Sequence, residues 1–208
     1  MTDTGDTART ARRPISLAVL VSGGGTTVHN LADYIDTGRI NARIALIVAS
    51  NDKAHQRIIE RNLHQPIPIK CIRLKDFATA AEFSKQVFTA ISQYEVDLVC
   101  LGGFMCLLAI PDNFERKVIN IHPALLPDFG GKGMFGRKVH EAVLSAGRKE
   151  SGCTVHYADA TYDTGPIILQ RKCPVLPDDT PQTLAARVFE QECIAYPQAI
   201  TLLTTCRG

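Results

Sequence analysis

The chain has 208 residues, of which 45% are hydrophobic and 21% are charged, so it is long enough to bury the core of one domain. Its formal net charge of +2 comes from 23 basic and 21 acidic residues, which excludes a broad electrostatic surface for nucleic acid or an anionic membrane. Its apolar runs are far shorter than the ~20 residues that a membrane-spanning helix needs. Small-molecule partners, bound locally, are therefore expected.

The first half of the chain alternates between apolar runs and amphipathic segments. Residues 15–21 predict a strand, a glycine-rich turn follows at 22–27, and a helical pattern continues to residue 38. This alternation is typical of a parallel sheet with helices on both faces. The next predicted elements are strand 43–49, helix 53–63, strand 69–74, helix 77–94, strand 97–101 and strand 117–121.

The second half begins with a loop rich in glycine and phenylalanine. It continues with a helix, a pair of strands and a closing helix that Pro197 is expected to kink or split. The order of elements predicts an α/β, doubly wound, mostly parallel, Rossmann-like sheet with an antiparallel C-terminal extension. Such sheets bind ligands at the carboxyl ends of their strands. The predicted ranges are loop 127–136, helix 138–146, strands 153–158 and 167–174, and helix 183–203.

The chain ends predict the bounds of the domain, and the cysteines indicate its cellular compartment. Residues 1–14 are polar with no apolar segment that leads to a cleavage site, so we expect a disordered tail before a domain at 15–208. The seven cysteines include no Cys-x-x-Cys pair and have an odd total, which favours a reducing cytoplasm and disfavours zinc.

The turn Ser22-Gly-Gly-Gly-Thr-Thr27 lies between the first strand and the first helix, where backbone N–H groups can bind a phosphate. It lacks the Lys of a P-loop, and Val28 stands where a dinucleotide-binding turn has its third glycine. A monophosphate therefore fits better than a dinucleotide. A tight turn without a ligand remains the alternative.

Asn120 and His122 end an otherwise apolar strand. The period of two places both on the same side of the sheet, and Pro123 is expected to leave the imidazole at the rim. Buried unpaired polar groups are costly, so each residue needs a hydrogen-bond partner or a ligand. A structural pair that satisfies itself remains the alternative.

Other polar residues have ordinary structural interpretations on spacing alone. Asp159 favours an Asx turn, Asp163 begins a strong turn signal, and His156 is expected to be packed. Glu192 is expected on a solvated helix face. The apolar stretch 102–105 follows a strand and could receive a flat heterocycle.

Five motifs together resemble the glycinamide ribonucleotide transformylases, a family of folate-dependent formyltransferases. The resemblance covers nearly all of 15–203. Its Asn-Ile-His-Pro element also occurs in related formyl-hydrolysing enzymes. The motifs are Ser22-Gly-Gly-Gly-Thr-Thr, Gly103-Phe-Met, Asn120-Ile-His-Pro-Ala-Leu-Leu-Pro127, Gly152-Cys-Thr-Val-His156 and Asp163-Thr-Gly-Pro-Ile-Ile-Leu-Gln170.

The resemblance implies transfer of a formyl group from the co-substrate 10-formyltetrahydrofolate to the amine of 5-phosphoribosylglycinamide, without a metal, by a monomer or weak homodimer. Each motif also implies roles for its residues. The implied residues are catalytic Asn120, His122 and Asp163; phosphate-binding Gly24, Gly25, Thr26 and Thr27; ribose-binding Glu192; folate-binding Met105, Cys106, Leu107, Leu108, Asn120, Ala158, Asp159 and Asp163; and supporting Thr154 and His156.

The chain departs from the commonest family pattern outside the catalytic trio. Gly24 and Thr27 replace frequent asparagines, Cys106 replaces an arginine, and Phe189 replaces a lysine or glutamine. These changes are expected to alter affinity rather than reaction type. The loop 128–136, here named the flap, resembles a variant found within the family.

Two other functions remain open. Water could replace the amine, as in formyltetrahydrofolate hydrolases, although those carry an N-terminal module that fourteen polar residues are not expected to form. A binding module without activity could instead use the glycine turn to sense a phosphorylated metabolite. Such a module would tolerate loss of Asn120 and His122, whereas the enzyme would not.

Overall fold

The computed structural model describes residues 13–60 and 63–205. The predicted tail therefore lies outside the described residues up to position 12, as do positions 61–62 of the predicted second helix and Cys206. At the described end of the predicted tail, the Arg13 guanidinium lies 2.6 Å from the Asp97 carboxylate. No helix within 13–60 or 63–205 has the length and apolarity needed to cross a bilayer.

Seven strands form one sheet in the order β3-β2-β1-β4-β5-β6-β7. The first five are parallel, β6 pairs antiparallel with β5, and β7 pairs antiparallel with β6. The predicted mostly parallel sheet with an antiparallel extension is confirmed. The strands are β1 Ile15–Val21, β2 Ala42–Ala49, β3 Ile69–Cys71, β4 Leu98–Leu101, β5 Val118–His122, β6 Glu150–Tyr157 and β7 Ile167–Pro174.

Helices cover both faces of this sheet. In β1, Leu17 and Val19 belong to the core under α1 and α5, whereas Ala18 and Leu20 belong to the core under α3. A strand buried on both faces reads as a continuous apolar run, which explains the signal at 15–21. The helices are α1 Thr26–Asp36, α2 Asp52–Glu60, α3 Ala80–Ile91, α4 Arg137–Ser145 and α5 Pro181–Thr205, with 3₁₀ turns at Leu74–Asp76 and Asp112–Phe114.

Of the predicted boundaries that differ from the structure, two differ for local reasons that the structure shows. The third helix begins at Ala80 rather than 77, because the Thr79 hydroxyl accepts the Glu82 N–H while the Glu82 carboxylate accepts the Ala78 N–H. This capping box is a helix-start signal that apolar periodicity does not reveal. The third strand ends at Cys71 rather than 74, because the chain turns into the 3₁₀ helix.

The expected split of the closing helix at Pro197 is wrong, since α5 is continuous from Pro181 to Thr205. Proline has no N–H, so the carbonyl four residues earlier loses its helical partner. Asn30 of α1 supplies the replacement: its Nδ2 donates to the Cys193 carbonyl at 2.9 Å. The proline therefore leaves an acceptor that a neighbouring helix satisfies.

Asn30→Ala is expected to lower the free energy of unfolding by about 1–2 kcal/mol, because it leaves the partly buried Cys193 carbonyl without its donor. Urea unfolding followed by circular dichroism measures this loss. Adding Pro197→Ala should recover part of it, because an alanine at this position restores the helical N–H. Equal losses in the two backgrounds would contradict this role of Asn30.

Candidate active site

The glycine turn gives α1 an open N-terminus. Gly25 has φ 71° and ψ 18°, a left-handed conformation that favours glycine, and a Cβ there would lie 3.0 Å from Ile58 Cγ1. No side chain caps this helix end, and its first turn contains no acidic residue. The free N–H groups and the positive end of the helix dipole therefore form a site suited to an anion.

Neighbouring strand ends hold the turn in place. The Ser22 hydroxyl oxygen accepts hydrogen bonds from the Ser50 hydroxyl at 2.7 Å and from the Met105 N–H at 2.9 Å. Asn51 Nδ2 donates to the Ser22 carbonyl at 3.0 Å. Ser50 and Asn51 were not predicted as part of the site, although their position directly after β2 indicates the same sheet edge.

The predicted trio converges at the end of β5. Asn120 Nδ2 lies 3.3 Å from Asp163 Oδ1, and His122 Nδ1 lies 3.4 Å from Asp163 Oδ2. The two β5 side chains reach one carboxylate from the same side of the strand, as the period of two predicts. A carboxamide, an imidazole and a carboxylate from distant segments thus share one site.

The chain holds Asp163 in an unusual backbone conformation. Its φ is 60°, and Gly165 follows in a turn where a Cβ would lie 1.8 Å from the Tyr157 carbonyl oxygen. The Gly131 N–H donates to Asp163 Oδ2 at 3.0 Å. Burial opposes ionisation, but His122 and this N–H help to hold the pKa of Asp163 below its usual value.

His122 is buried, with only 3% of its surface exposed, so the expected position at the rim is wrong. β5 continues through His122, and the flap covers the ring. The Phe129 carbonyl can only accept, so His122 Nε2 carries a proton and donates to it at 2.8 Å. Burial lowers the pKa of His122, and Asp163 and the Phe129 carbonyl only partly offset this effect.

Strand β6 supplies the two residues that the resemblance implied as supports. His156 lies opposite Asn120 and Thr154 lies opposite His122 in the antiparallel register. His156 Nδ1 donates to the Tyr157 carbonyl at 2.8 Å, so its Nε2 is free to accept from Asn120 Nδ2 at 3.2 Å. His156 therefore orients the carboxamide.

Thr154 fixes the chain that follows β5. Its hydroxyl donates to the Ala124 carbonyl at 2.7 Å and accepts the Leu126 N–H at 3.0 Å. Gln170 Nε2 donates to the Thr154 hydroxyl and to the Leu126 carbonyl, both at 2.9 Å. This network leads into the cis peptide bond between Leu126 and Pro127, where the flap begins.

Two cavities share part of the trio. A cleft of about 650 Å³ joins the glycine turn, the trio, the flap and α5. A smaller cavity of about 50 Å³ adjoins this cleft, and Asn120 and Asp163 line both. Of the implied folate-binding residues, Met105 lines the cleft; the smaller cavity is lined by Cys106, Leu107, Leu108, Ala158 and Asp159.

Asp159 lines that cavity but is engaged locally. Its carboxylate accepts the Thr161 N–H at 3.0 Å and the Thr164 hydroxyl at 2.9 Å. The first of these bonds closes an Asx turn, as predicted. Asp159 thus shapes the loop that carries Asp163.

Glu192 lines the cleft near the glycine turn rather than a solvated helix face, so that expectation is wrong. Helical periodicity does not predict its burial, because the cleft itself forms the surroundings of this carboxyl. Burial raises the pKa of Glu192 to about 8. The group is therefore largely protonated at neutral pH before a ligand enters.

Glu192→Gln is expected to change how stability depends on pH. In the folded protein Glu192 keeps its proton up to about pH 8, whereas in the unfolded chain it loses it near 4.5. The folded state binds more protons between these values, so this group makes the wild type less stable as pH rises from about 4.5 to 8.

The glutamine variant removes that loss. Thermal unfolding at pH 5 and pH 8 measures this effect. At pH 8 the free energy of unfolding of the variant should exceed that of the wild type by about 1–3 kcal/mol. This range is smaller than the pKa shift alone implies, because the carboxyl borders the open cleft and solvent screens it. Glu190→Gln, two residues away, is the matched control. Parallel pH profiles for wild type and Glu192→Gln would contradict burial of a protonated carboxyl.

Further residues that line the cleft or contact the trio were not predicted from the sequence. Phe129 and Gly131 act through backbone groups, which no side-chain pattern reveals. His140 lies in α4 and lines the cleft, buried to 4% exposure. Its only sequence signal was a polar residue on the apolar face of a helix.

The fold and this site define a class of protein. Residues 15–200 match the family model described as formyl transferase, so the chain belongs to the formyl transferase family. Solved structures agree. Glycinamide ribonucleotide transformylase 1 from Symbiobacterium toebii has a TM-score of 0.85 at 32% identity, covering 99% of this chain and 94% of that one.

Other relatives point to one member of the family. A phosphoribosylglycinamide formyltransferase from Coxiella burnetii has a TM-score of 0.81 at 32% identity, over 94% of this chain and 89% of that one. The chloroplastic phosphoribosylglycinamide formyltransferase of Vigna unguiculata is 38% identical over 93% of this chain. This chain spans 62% of the Vigna protein's length. A formyltetrahydrofolate deformylase from Pseudomonas syringae, 19% identical with a TM-score of 0.78, shares the fold.

Proposed function

We propose that this protein transfers a formyl group from 10-formyltetrahydrofolate to the amine of 5-phosphoribosylglycinamide, a step of de novo purine biosynthesis. One observation carries the proposal: Asn120 and Asp163 line both the cleft that contains the open end of α1 and the smaller cavity. Asn120 and Asp163 are thus the polar trio members that ligands in both cavities can contact during a transfer between them. The relatives that match most of the chain support the same reaction.

Each part of the acceptor has a complementary surface in the cleft. The phosphate binds the free N–H groups at residues 24–27, and the ribose hydroxyls bind Glu192. The amine then points towards His122 and Asp163. The pterin occupies the cavity beyond Asn120, against the apolar residues Leu107 and Leu108.

The trio then stabilises charge. Attack of the amine on the formyl carbon forms a C–N bond and places a negative charge on the formyl oxygen. Asn120 Nδ2 and protonated His122 Nδ1, both of which face the Asp163 carboxylate in the structure, are the donors for that charge. The developing negative charge raises the pKa of His122 and opposes the effect of burial, so the imidazole donates most strongly in the transition state.

Asp163 assists the transfer of the proton from the attacking amine. Its lowered pKa keeps it ionised at neutral pH, so it can orient a water molecule. That water relays the proton of the attacking amine to the folate nitrogen as the bond from this nitrogen to the formyl carbon breaks. The products are formylated acceptor and tetrahydrofolate, and the residues in these roles require no metal.

The compartment and assembly are part of the proposal. The six described cysteines are free, which supports a reducing cytoplasm. A monomer or weak homodimer, with small molecules as its only partners, stays a prediction.

The test is the release of tetrahydrofolate, followed by absorbance with and without 5-phosphoribosylglycinamide. The proposal expects release that depends on the acceptor, with one formylated product formed per tetrahydrofolate. Release at the same rate without the acceptor would assign the chain to the hydrolases. Binding of the acceptor without any turnover would favour a metabolite-binding module.

A further inference from the structure

The cleft contains little positive charge for an anionic substrate. Among the described residues that line it, Lys132 is the sole lysine or arginine, while Asp163 is ionised and Glu192 carries a carboxyl. Amide groups at a helix end contribute only partial charges. A cation close to the turn would therefore strengthen the binding of a phosphate monoester, which carries nearly two negative charges.

Lys132 is available for this role. It is exposed, and within the described chain its ammonium group makes no hydrogen bond or ion pair. It lies between Gly131 and Gly133, whose φ angles of 98° and 87° place this part of the flap in left-handed conformations. Because a Cβ added at either glycine would meet no atom within 4 Å, the surrounding space leaves room for the flap to adjust.

The root of the flap, by contrast, is fixed. The Phe129 carbonyl accepts from His122 and the Gly131 N–H donates to Asp163. The backbone just before Lys132 is thus tied to the catalytic trio. The lysine side chain lies at the wall of the cleft, and its ammonium group remains available for a ligand.

His140 is an independent sign that a ligand completes this wall. It lines the same cleft, is 4% exposed, and its buried Nδ1 has no hydrogen-bond partner. A buried polar atom without a partner is costly, so such atoms generally mark a site that a ligand or water fills. The Lys132 ammonium group on the flap and His140 Nδ1 on α4 therefore both lack a partner within the described protein.

We propose that Lys132 is the cation that binds the acceptor's phosphate, facing the N–H groups at the start of α1. The inference rests on the proposed function and adds to it a specificity residue that selects phosphorylated acceptors. Lys132 binds substrate and takes no part in formyl transfer itself. Loss of the lysine therefore raises the KM for the acceptor and leaves kcat nearly unchanged.

The experiment compares Lys132→Met with two controls. Lys132→Arg keeps the charge, and Lys85→Met removes one charge at an exposed position of α3. We expect Lys132→Met to raise the KM for 5-phosphoribosylglycinamide by ~10–100-fold, the usual effect of losing a charge-assisted hydrogen bond. The KM for 10-formyltetrahydrofolate and the kcat should stay within about twofold. Lys132→Arg should restore most of the affinity, and Lys85→Met should match the wild type.

Calorimetric titration with 5-phosphoribosylglycinamide and with its dephosphorylated riboside tests the inference separately from turnover. The wild type should favour the phosphorylated ligand, and Lys132→Met should lose most of that preference. If Lys132→Met binds both ligands as Lys85→Met does, the inference is overturned even where formyl transfer is intact. A raised KM for the folate alone would also overturn it, because the lysine would then contact a folate carboxylate.

Discussion

His122→Ala is expected to lower kcat for formyl transfer by ~10²–10³-fold, the usual cost of losing one donor to a developing oxyanion. The imidazole is the only described histidine whose ring lies against both the flap carbonyl of Phe129 and the Asp163 carboxylate. Steady-state release of tetrahydrofolate measures the effect. Binding of 5-phosphoribosylglycinamide should persist, because the open end of α1 is unchanged.

His64→Ala is the matched control, since this exposed histidine precedes β3 and lies outside the cleft. It should behave as the wild type does. Circular dichroism and thermal unfolding should show that the His122 variant retains the fold. Near-normal transfer by folded His122→Ala would contradict the mechanism.

Asp163→Asn is expected to have a comparable or larger effect, lowering kcat by ~10³-fold or more. The substitution removes the charge that favours the protonated His122 and the group that orients the proton-relaying water. It also weakens the acceptor of the Gly131 N–H, so the root of the flap loses a hydrogen bond. The rate should be measured across pH, because loss of the carboxylate lowers the pKa of His122 further.

Asp159→Asn tests whether this effect belongs to the site or to the turn. Asp159 accepts from Thr161 and Thr164 in the loop that carries Asp163, so its replacement weakens this loop but leaves the Asp163 carboxylate in place. We expect a loss of stability and a much smaller loss of kcat than in Asp163→Asn. Equal losses of kcat in the Asp159 and Asp163 variants would contradict a chemical role for Asp163.

The double variant His122→Ala, Asp163→Asn examines whether the two residues act together. Residues that act as a unit show strongly non-additive effects. The rate of the double variant is therefore expected to lie close to that of the slower single variant. Multiplication of the two single losses would indicate separate roles.

Most of the sheet could be predicted because its central strands are buried on both faces. Continuous apolar runs such as β1 and β2 have few other interpretations, and their alternation with helices implies parallel pairing. The carboxyl-end rule then placed the glycine turn, the end of β5 and the Asp163 turn at one edge. The cleft that joins them confirms this geometric part of the prediction.

Features that depend on tertiary partners could not be predicted. The burial of His122 depends on a flap carbonyl, and the continuity of α5 depends on Asn30 from another helix. The surroundings of Glu192 are set by the cleft rather than by its own helix. Each outcome rests on groups far apart in sequence, where periodicity and propensity carry no information.

The most direct measurement is a crystal structure with 5-phosphoribosylglycinamide and a non-reactive 10-formyl folate analogue. The formyl oxygen should lie within hydrogen-bond distance of Asn120 Nδ2 and a His122 ring nitrogen, with the acceptor amine on the side of Asp163. An oxygen that points away from Asn120 and His122, or a pterin bound outside the cavity lined by Leu107 and Leu108, would contradict the account.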